Sequence, residues 1–154
     1  MVSSPLYLYN KGAWSNGVSA FSSIYHTGRM SDYTENESYG YSFLVQYCDK
    51  GDITVYRTNN PIILTEYSSI KITLSCSEYL SPVYFGISPN GALTSTNYTA
   101  STSVLGGVSG GVYSITTSSL SNSFYIYIYI VSNRSISSSS SNIWSLTMSN
   151  LYLN

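Results

Sequence analysis

Hydrophobic and polar residues alternate along much of this chain, the pattern of strands buried on one face only. From Ile70 to Cys76 the alternation is unbroken: Ile70, Ile72, Leu74 and Cys76 fall on one side, Lys71, Thr73 and Ser75 on the other. Val83, Phe85 and Ile87 share a side in the next segment. The clearest run is Phe124 to Val131, where Phe124, Ile126, Ile128 and Ile130 line one face and Tyr125, Tyr127 and Tyr129 the other. Further strands are expected at residues 6–9, 18–25, 41–47, 53–57, 112–117, 143–148 and 151–153, with a brief extended piece at 62–64.

The punctuation between these runs is that of turns. Asn10-Lys11-Gly12, Asn59-Asn60-Pro61 and Ser88-Pro89-Asn90-Gly91 each end a strand. Asp49-Lys50-Gly51-Asp52 is expected to join 41–47 and 53–57 as a hairpin. Residues 26–38 read as a polar surface loop, 92–111 carry no clear pattern, and 132–142 form a serine-rich loop. The total is about nine or ten strands at a spacing of roughly 8–12 residues, without helical periodicity or blade repeats. The expected fold is therefore all-β: an antiparallel β-sandwich of the jelly-roll kind, one domain over residues 1–154.

Composition sharpens this picture. The chain has 17 Tyr and 33 Ser among its 154 residues. Aromatic and β-branched side chains suit a pleated sheet, and Ser competes with helical hydrogen bonding. Charged residues make up only 8%, with a net charge of −1, against about 25% charged residues in ordinary domains. No basic cluster is available to neutralise phosphates, so nucleic acid is not an expected partner. The longest apolar run is far shorter than the roughly 20 residues of a membrane helix, so membrane insertion is not expected.

Catalytic chemistry finds little to stand on. His26 is the one histidine and sits in the polar 26–38 segment, with no nucleophile elbow, zinc-protease motif or phosphate loop. A carboxylate pair such as Glu66 with Glu78 is the one glycosidase-like arrangement to weigh, against the plainer reading of solvated charges at strand ends. Asp49 and Asp52 offer two carboxylates for Ca²⁺, but Lys50 lies between them and a turn explains the cluster. Cys48 and Cys76 are expected as two buried free thiols rather than a disulfide. The reading is a non-enzyme without cofactor or metal.

The tyrosines are the stronger signal. Tyr125, Tyr127 and Tyr129 form a row on one face of a strand, and Tyr84 and Tyr56 on neighbouring strands are expected to extend it. Such rings either pack on a wet outer face, form a platform for a sugar, or bury against another subunit. Trp14, in a turn-like segment, either covers the end of the core or stands as an exposed anchor, whereas Trp144 alternates with Leu146 and Met148 and belongs to the core.

Three phrases carry a resemblance. They are Ile62-Ile63-Leu64-Thr65-Glu66-Tyr67-Ser68-Ser69-Ile70-Lys71-Ile72 with Phe85-Gly86-Ile87-Ser88 after it, Tyr113-Ser114-Ile115-Thr116 leading through Leu120 to Phe124-Tyr125-Ile126, and the ending Leu146 to Leu153, which reads as a last strand pairing with the first. Together, over residues 40–154, they resemble galactose-binding-like, carbohydrate-binding-module-type jelly rolls found in structural proteins of bacteriophages of Gram-positive gut bacteria. Thr116 stands where such modules have Asp, so no family metal or sugar ligand is carried over.

The resemblance implies a bacteriophage virion component (decoration, neck, fibre or baseplate) that binds other virion proteins and host or mucosal glycans. It is expected to act as a multi-copy homo-oligomer. The first residues, Met1-Val2-Ser3-Ser4-Pro5, lack the features of a secretion signal, which suits residence in a virion. The alternative is a free-standing carbohydrate-binding module or adhesin domain.

Overall fold

The computed structural model describes residues 5–15, 20–63, 67–116 and 123–154. Among them, thirteen strands and no helix build two antiparallel sheets packed face to face. This is the expected all-β sandwich, with more strands than the alternation revealed.

The first sheet is organised on its last strand. β13 (Trp144–Leu153) has β8 (Ser69–Cys76) along one side, and β11 (Gly111–Thr116) lies beyond β8. Its other side is shared. The first half pairs with β5 (Gly40–Gln46) and the second half with β1 (Leu6–Asn10), so the last strand does pair with the first. β4 (Ser31–Glu37) lies outside β5, and β2 (Ala13–Trp14) outside β1. The second sheet runs β10 (Ala100–Val104), β9 (Leu80–Ser88), β12 (Ser123–Ser132), β6 (Ile53–Thr58), β3 (Phe21–His26), and the short β7 (Ile62–Ile63) pairs with the start of β12.

The isoleucine faces meet between the sheets. Ile70, Ile72 and Leu74 of β8, with Leu146 and Met148 of β13, are buried in one core with Val83, Phe85 and Ile87 of β9 and Ile126, Ile128 and Ile130 of β12. β13 reads in sequence as two strands because the inward positions change parity, from Leu146 and Met148 to Leu151 and Leu153. A bulge between Met148 and Asn150 absorbs the extra residue, so one strand keeps both pairs in the core.

Several expectations are corrected. The 41–47 and 53–57 segments do not form a hairpin: β5 and β6 lie in different sheets, and the Asp49–Asp52 turn carries the chain between them. Its carboxylates serve the turn. Asp52 accepts from the Asp49 N–H at 2.8 Å and from Thr27 Oγ1 at 3.1 Å, and Asp49 pairs with Arg29 at 3.1 Å. Arg29 also donates to the Cys48 and Ile136 carbonyls, so the serine-rich loop is pinned, with Ile136 buried. Residues 31–37 are not loop but the edge strand β4, and residues 100–104 are the edge strand β10. Both were hidden because an edge strand buries few side chains and shows no hydrophobic period.

His26 ends β3 instead of sitting in a loop. Its Nδ1 lies 3.6 Å from Asp32 Oδ2, which also accepts from Ser23 Oγ at 2.7 Å and from Thr54 Oγ1. Cys48 and Cys76 are buried free thiols, as expected, and burial pushes the Cys76 thiol up to about 11.

One end of the core is aromatic. Phe43 packs edge-on against Phe21, Tyr41 and Tyr56, with ring centroids 5.0, 5.3 and 5.1 Å away. Trp14 closes this cluster against Tyr9 at 4.8 Å and Tyr41 at 5.3 Å. The buried phenols use their hydroxyls inside the fold: Tyr56 donates to the Leu44 carbonyl at 2.9 Å and Tyr41 to the Phe21 carbonyl at 3.0 Å.

Burial raises the pKa of Tyr9, Tyr41 and Tyr56, burial being the largest cause for each. The sign for stability follows. The unfolded chain releases these protons near pH 10 while the folded chain still holds them, so stability falls as pH rises through that range. The expected result is a melting temperature that drops steeply between about pH 9 and pH 11 by scanning calorimetry. A flat profile would mean that these hydroxyls are not sequestered.

Candidate functional site: a tyrosine face on the second sheet

The outer face of the second sheet is where the tyrosines gather, and strand register sets their places. Tyr129 on β12 lies beside Tyr84 on β9 and Val55 on β6, and Val55 lies beside Tyr25 on β3. Ser103 on β10 continues the line beyond Tyr84. The result is a transverse row, perpendicular to the strands: Ser103, Tyr84, Tyr129, Val55, Tyr25. From Tyr84 to Tyr25 it crosses three strand spacings, about 14 Å.

The rings of Tyr84 and Tyr129 stand 6.1 Å apart at 57°. Val55 is fully buried between the neighbouring tyrosines, while Tyr25 is 39% exposed. The Tyr129 phenol has its pKa raised, first by partial burial and then by the neighbouring Tyr25 and Tyr84 phenols. The row contains no Asp, Glu, Lys, Arg or His and offers hydroxyls beside apolar ring faces.

The next row along the strands is covered. Tyr127 lies between Gly86 and Arg57 and is fully buried. The segment 89–99 lies over it. Tyr127 Oη donates to the Asn90 carbonyl and accepts from the Leu93 N–H at 3.3 Å. Tyr98 packs on Tyr127 with centroids 5.2 Å apart. Arg57 donates to the Gly91 carbonyl and stacks 4.5 Å above the Tyr125 ring.

Gly86 makes this cover possible, because a Cβ there would overlap the Tyr98 ring. Gly86→Val is accordingly expected to expel Tyr98 and cost about 1–3 kcal/mol, read as a lower melting temperature and new protease cleavage within 89–99. An unchanged melt would show that the segment does not depend on that contact.

The sequence-predicted residues thus separate. Tyr84, Tyr129 and Tyr125 are on this face and partly accessible, and Tyr127 is on the face but buried under the 89–99 segment. Tyr56 is a correction: it points the other way, into the core, because β6 sends Thr54, Tyr56 and Thr58 inward. Of the two readings of Trp14, cover over the end of the core or exposed anchor, the structure has the first: it is half-buried and packs on the aromatic end of the core. Trp144 packs on the core and on Tyr79, 4.3 Å between centroids.

Tyr25 is the residue that sequence reasoning missed. A bulge between Ser23 and Tyr25 turns it to the outer face, and a short edge strand shows no sign of it in sequence. Glu78 is exposed in the turn before β9, and Glu66 lies outside the described residues. Among the described residues, no three His, Cys, Asp or Glu stand together as a metal cluster would.

The comparisons agree with this architecture. No protein-family profile matches the chain, and no curated protein matches it in sequence. Solved structures do match. The family 11 carbohydrate-binding module of a cellulosomal cellulase of Clostridium thermocellum superposes with a TM-score of 0.63 at 13% identity, covering 99% of this chain and 95% of the module. The same kind of module in complex with a β-1,3-1,4-mixed-linked tetrasaccharide gives 0.60 at 16% identity over 97% and 94% of the two chains. The glycoside hydrolase domain structure of Endo-D from Streptococcus pneumoniae R6 gives 0.61 at 10% identity over 87% of this chain, which spans only 21% of that longer chain. At these identities the likeness establishes the fold: a jelly-roll sandwich of the kind seen in carbohydrate-binding modules.

Proposed function

We propose that the chain is a non-catalytic carbohydrate-binding module, and that the open row of Tyr84, Tyr129 and Tyr25 is its glycan platform. The observation that carries this reading is the row itself. Three phenol rings lie across the sheet in a line that stays at least partly accessible, unlike Tyr127 under the 89–99 segment, on a fold shared with carbohydrate-binding modules. Ring faces take up the apolar C–H faces of sugars, and the hydroxyls of Tyr and Ser103 meet sugar hydroxyls. The row of Ser103, Tyr84, Tyr129, Val55 and Tyr25 contains no Asp, Glu, Lys, Arg or His, and the guanidinium of Arg57 is engaged by Gly91 and Thr58 in the covered row beside it, so the platform suits an uncharged polysaccharide.

The row runs across the strands from the edge strand β10 to the edge strand β3, the layout that a linear chain would follow. Isothermal titration against mixed-linked glucan, xylan and their oligosaccharides, with an acidic polysaccharide as contrast, tests the proposal. Binding to a neutral linear glycan is the expected result, and silence across a dense glycan panel would sink it.

A virion location and virion partners remain a separate proposal, resting on the sequence resemblance alone. Its test is mass spectrometry of purified phage particles for this chain.

A further inference from the structure

The charges of this protein are distributed unevenly. No Asp, Glu, Lys, Arg or His lies between Glu78 and Arg134. That span includes all of β9, β10, β11 and β12. Two of these strands are edges: β10 ends the second sheet and β11 ends the first, and the two lie on the same side of the sandwich, joined by residues 105–110.

One side wall is therefore built from residues 100–116 without a single charge. It exposes Leu105 at 61%, Val112 at 60% and Val108 at 36%.

Proteins guard free strand edges with charge, proline or bulges. The opposite wall does this. β4 carries Asp32, Glu35 and Glu37, and β3 ends on His26 and contains a bulge. β11 has none of these devices. Its six residues pair with β8 in unbroken register from Gly111 to Thr116, so its other side is straight and regular.

From this contrast we propose that β11 is a homotypic docking edge, pairing antiparallel with β11 of a second copy. The occupant is a second copy because an uncharged edge is complementary to itself, with no like charges facing across the axis. Among the described residues no strand pairs with the other side of β11, and the pairing satisfies the main-chain groups that this edge presents.

The geometry has a consequence for binding. The twofold axis of an antiparallel strand pair is perpendicular to the sheet, so both copies turn their second sheets the same way. Both tyrosine rows would then face one surface, and a polymer could engage the two at once. This last consequence rests on the glycan reading; the pairing itself does not.

Sedimentation velocity of the full chain over a wide concentration range tests the pairing without any glycan. The expected result is a concentration-dependent dimer. Val112→Lys with Thr116→Lys places ammonium groups on exposed positions of β11 and is expected to yield monomer that melts as the wild type does at concentrations where it is dissociated. Glu35→Lys on the opposite wall is expected to leave the dimer intact. A wild-type chain that stays monomeric at every concentration overturns the proposal, and so does a dimer that survives the double lysine variant. If the pairing holds, the double variant loses avidity for polymeric glucan at least tenfold while its titration with a tetrasaccharide is unchanged.

Discussion

Tyr129→Ala is expected to abolish measurable glycan binding while the protein stays folded. Tyr129 is the central ring of the open row, with Tyr84 6.1 Å away on one side and Val55 registered on the other. A central, partly buried aromatic is the kind of residue whose truncation costs at least about 2 kcal/mol of binding, roughly thirtyfold. For a module of modest affinity that removes the signal. The stability cost is smaller, about 1 kcal/mol, because the ring is only partly buried, and for a domain of this size that lowers melting by about 2–4 °C.

Tyr56→Phe is the informative contrast. It removes a hydroxyl that reaches Leu44 inside the core, so it should lower stability and leave glycan affinity alone. If both variants bind as the wild type does, the platform lies elsewhere. If Tyr56→Phe weakens binding and Tyr129→Ala does not, the assignment of the two faces of β12 and β6 is reversed.

Phe43→Ala is expected to be the most damaging single truncation for stability. Phe43 is fully buried and makes edge-on contacts with Phe21, Tyr41 and Tyr56. Emptying such a site costs about 3–5 kcal/mol, from lost burial and from the cavity that remains. Total stabilities of domains are about 5–15 kcal/mol, so a large share is at risk. The expected readout is a fall in melting temperature of about 10 °C or more. A loss below about 1 kcal/mol would mean that neighbouring rings collapse into the space, and that this aromatic cluster is far looser than its ring geometry indicates.

Some of the architecture was legible in the chain because period two is a local property. Ile70, Ile72 and Leu74, and likewise Ile126, Ile128 and Ile130, had to face a core whatever their neighbours were, and they do. The tyrosine face of β12 followed from the same rule. Parity failed on β6. Its alternation by itself puts Val55 inside and Tyr56 outside, yet Tyr56 is in the core and Val55 is buried on the opposite face. When both faces of a strand are covered, one by the other sheet and one by tyrosines from adjacent strands, alternation no longer marks the inside. The hairpin expected at Asp49–Asp52 failed for a related reason: turn chemistry fixes a change of direction but not which sheet the chain enters next.

The sequence by itself determined the material of the protein: strands rather than helices, an isoleucine core, a face of phenols, and a long stretch free of charge. Those are properties of residues and their immediate neighbours. Only the tertiary structure decided which phenols remain open, because that depends on residues remote in sequence. The segment 89–99 covers Tyr127 across more than thirty positions of chain, a bulge in β3 delivers Tyr25 to the same row, and strand order makes edges of β10 and β11. Packing between distant segments is not encoded in any local period, so the site became visible only when the strands were set side by side.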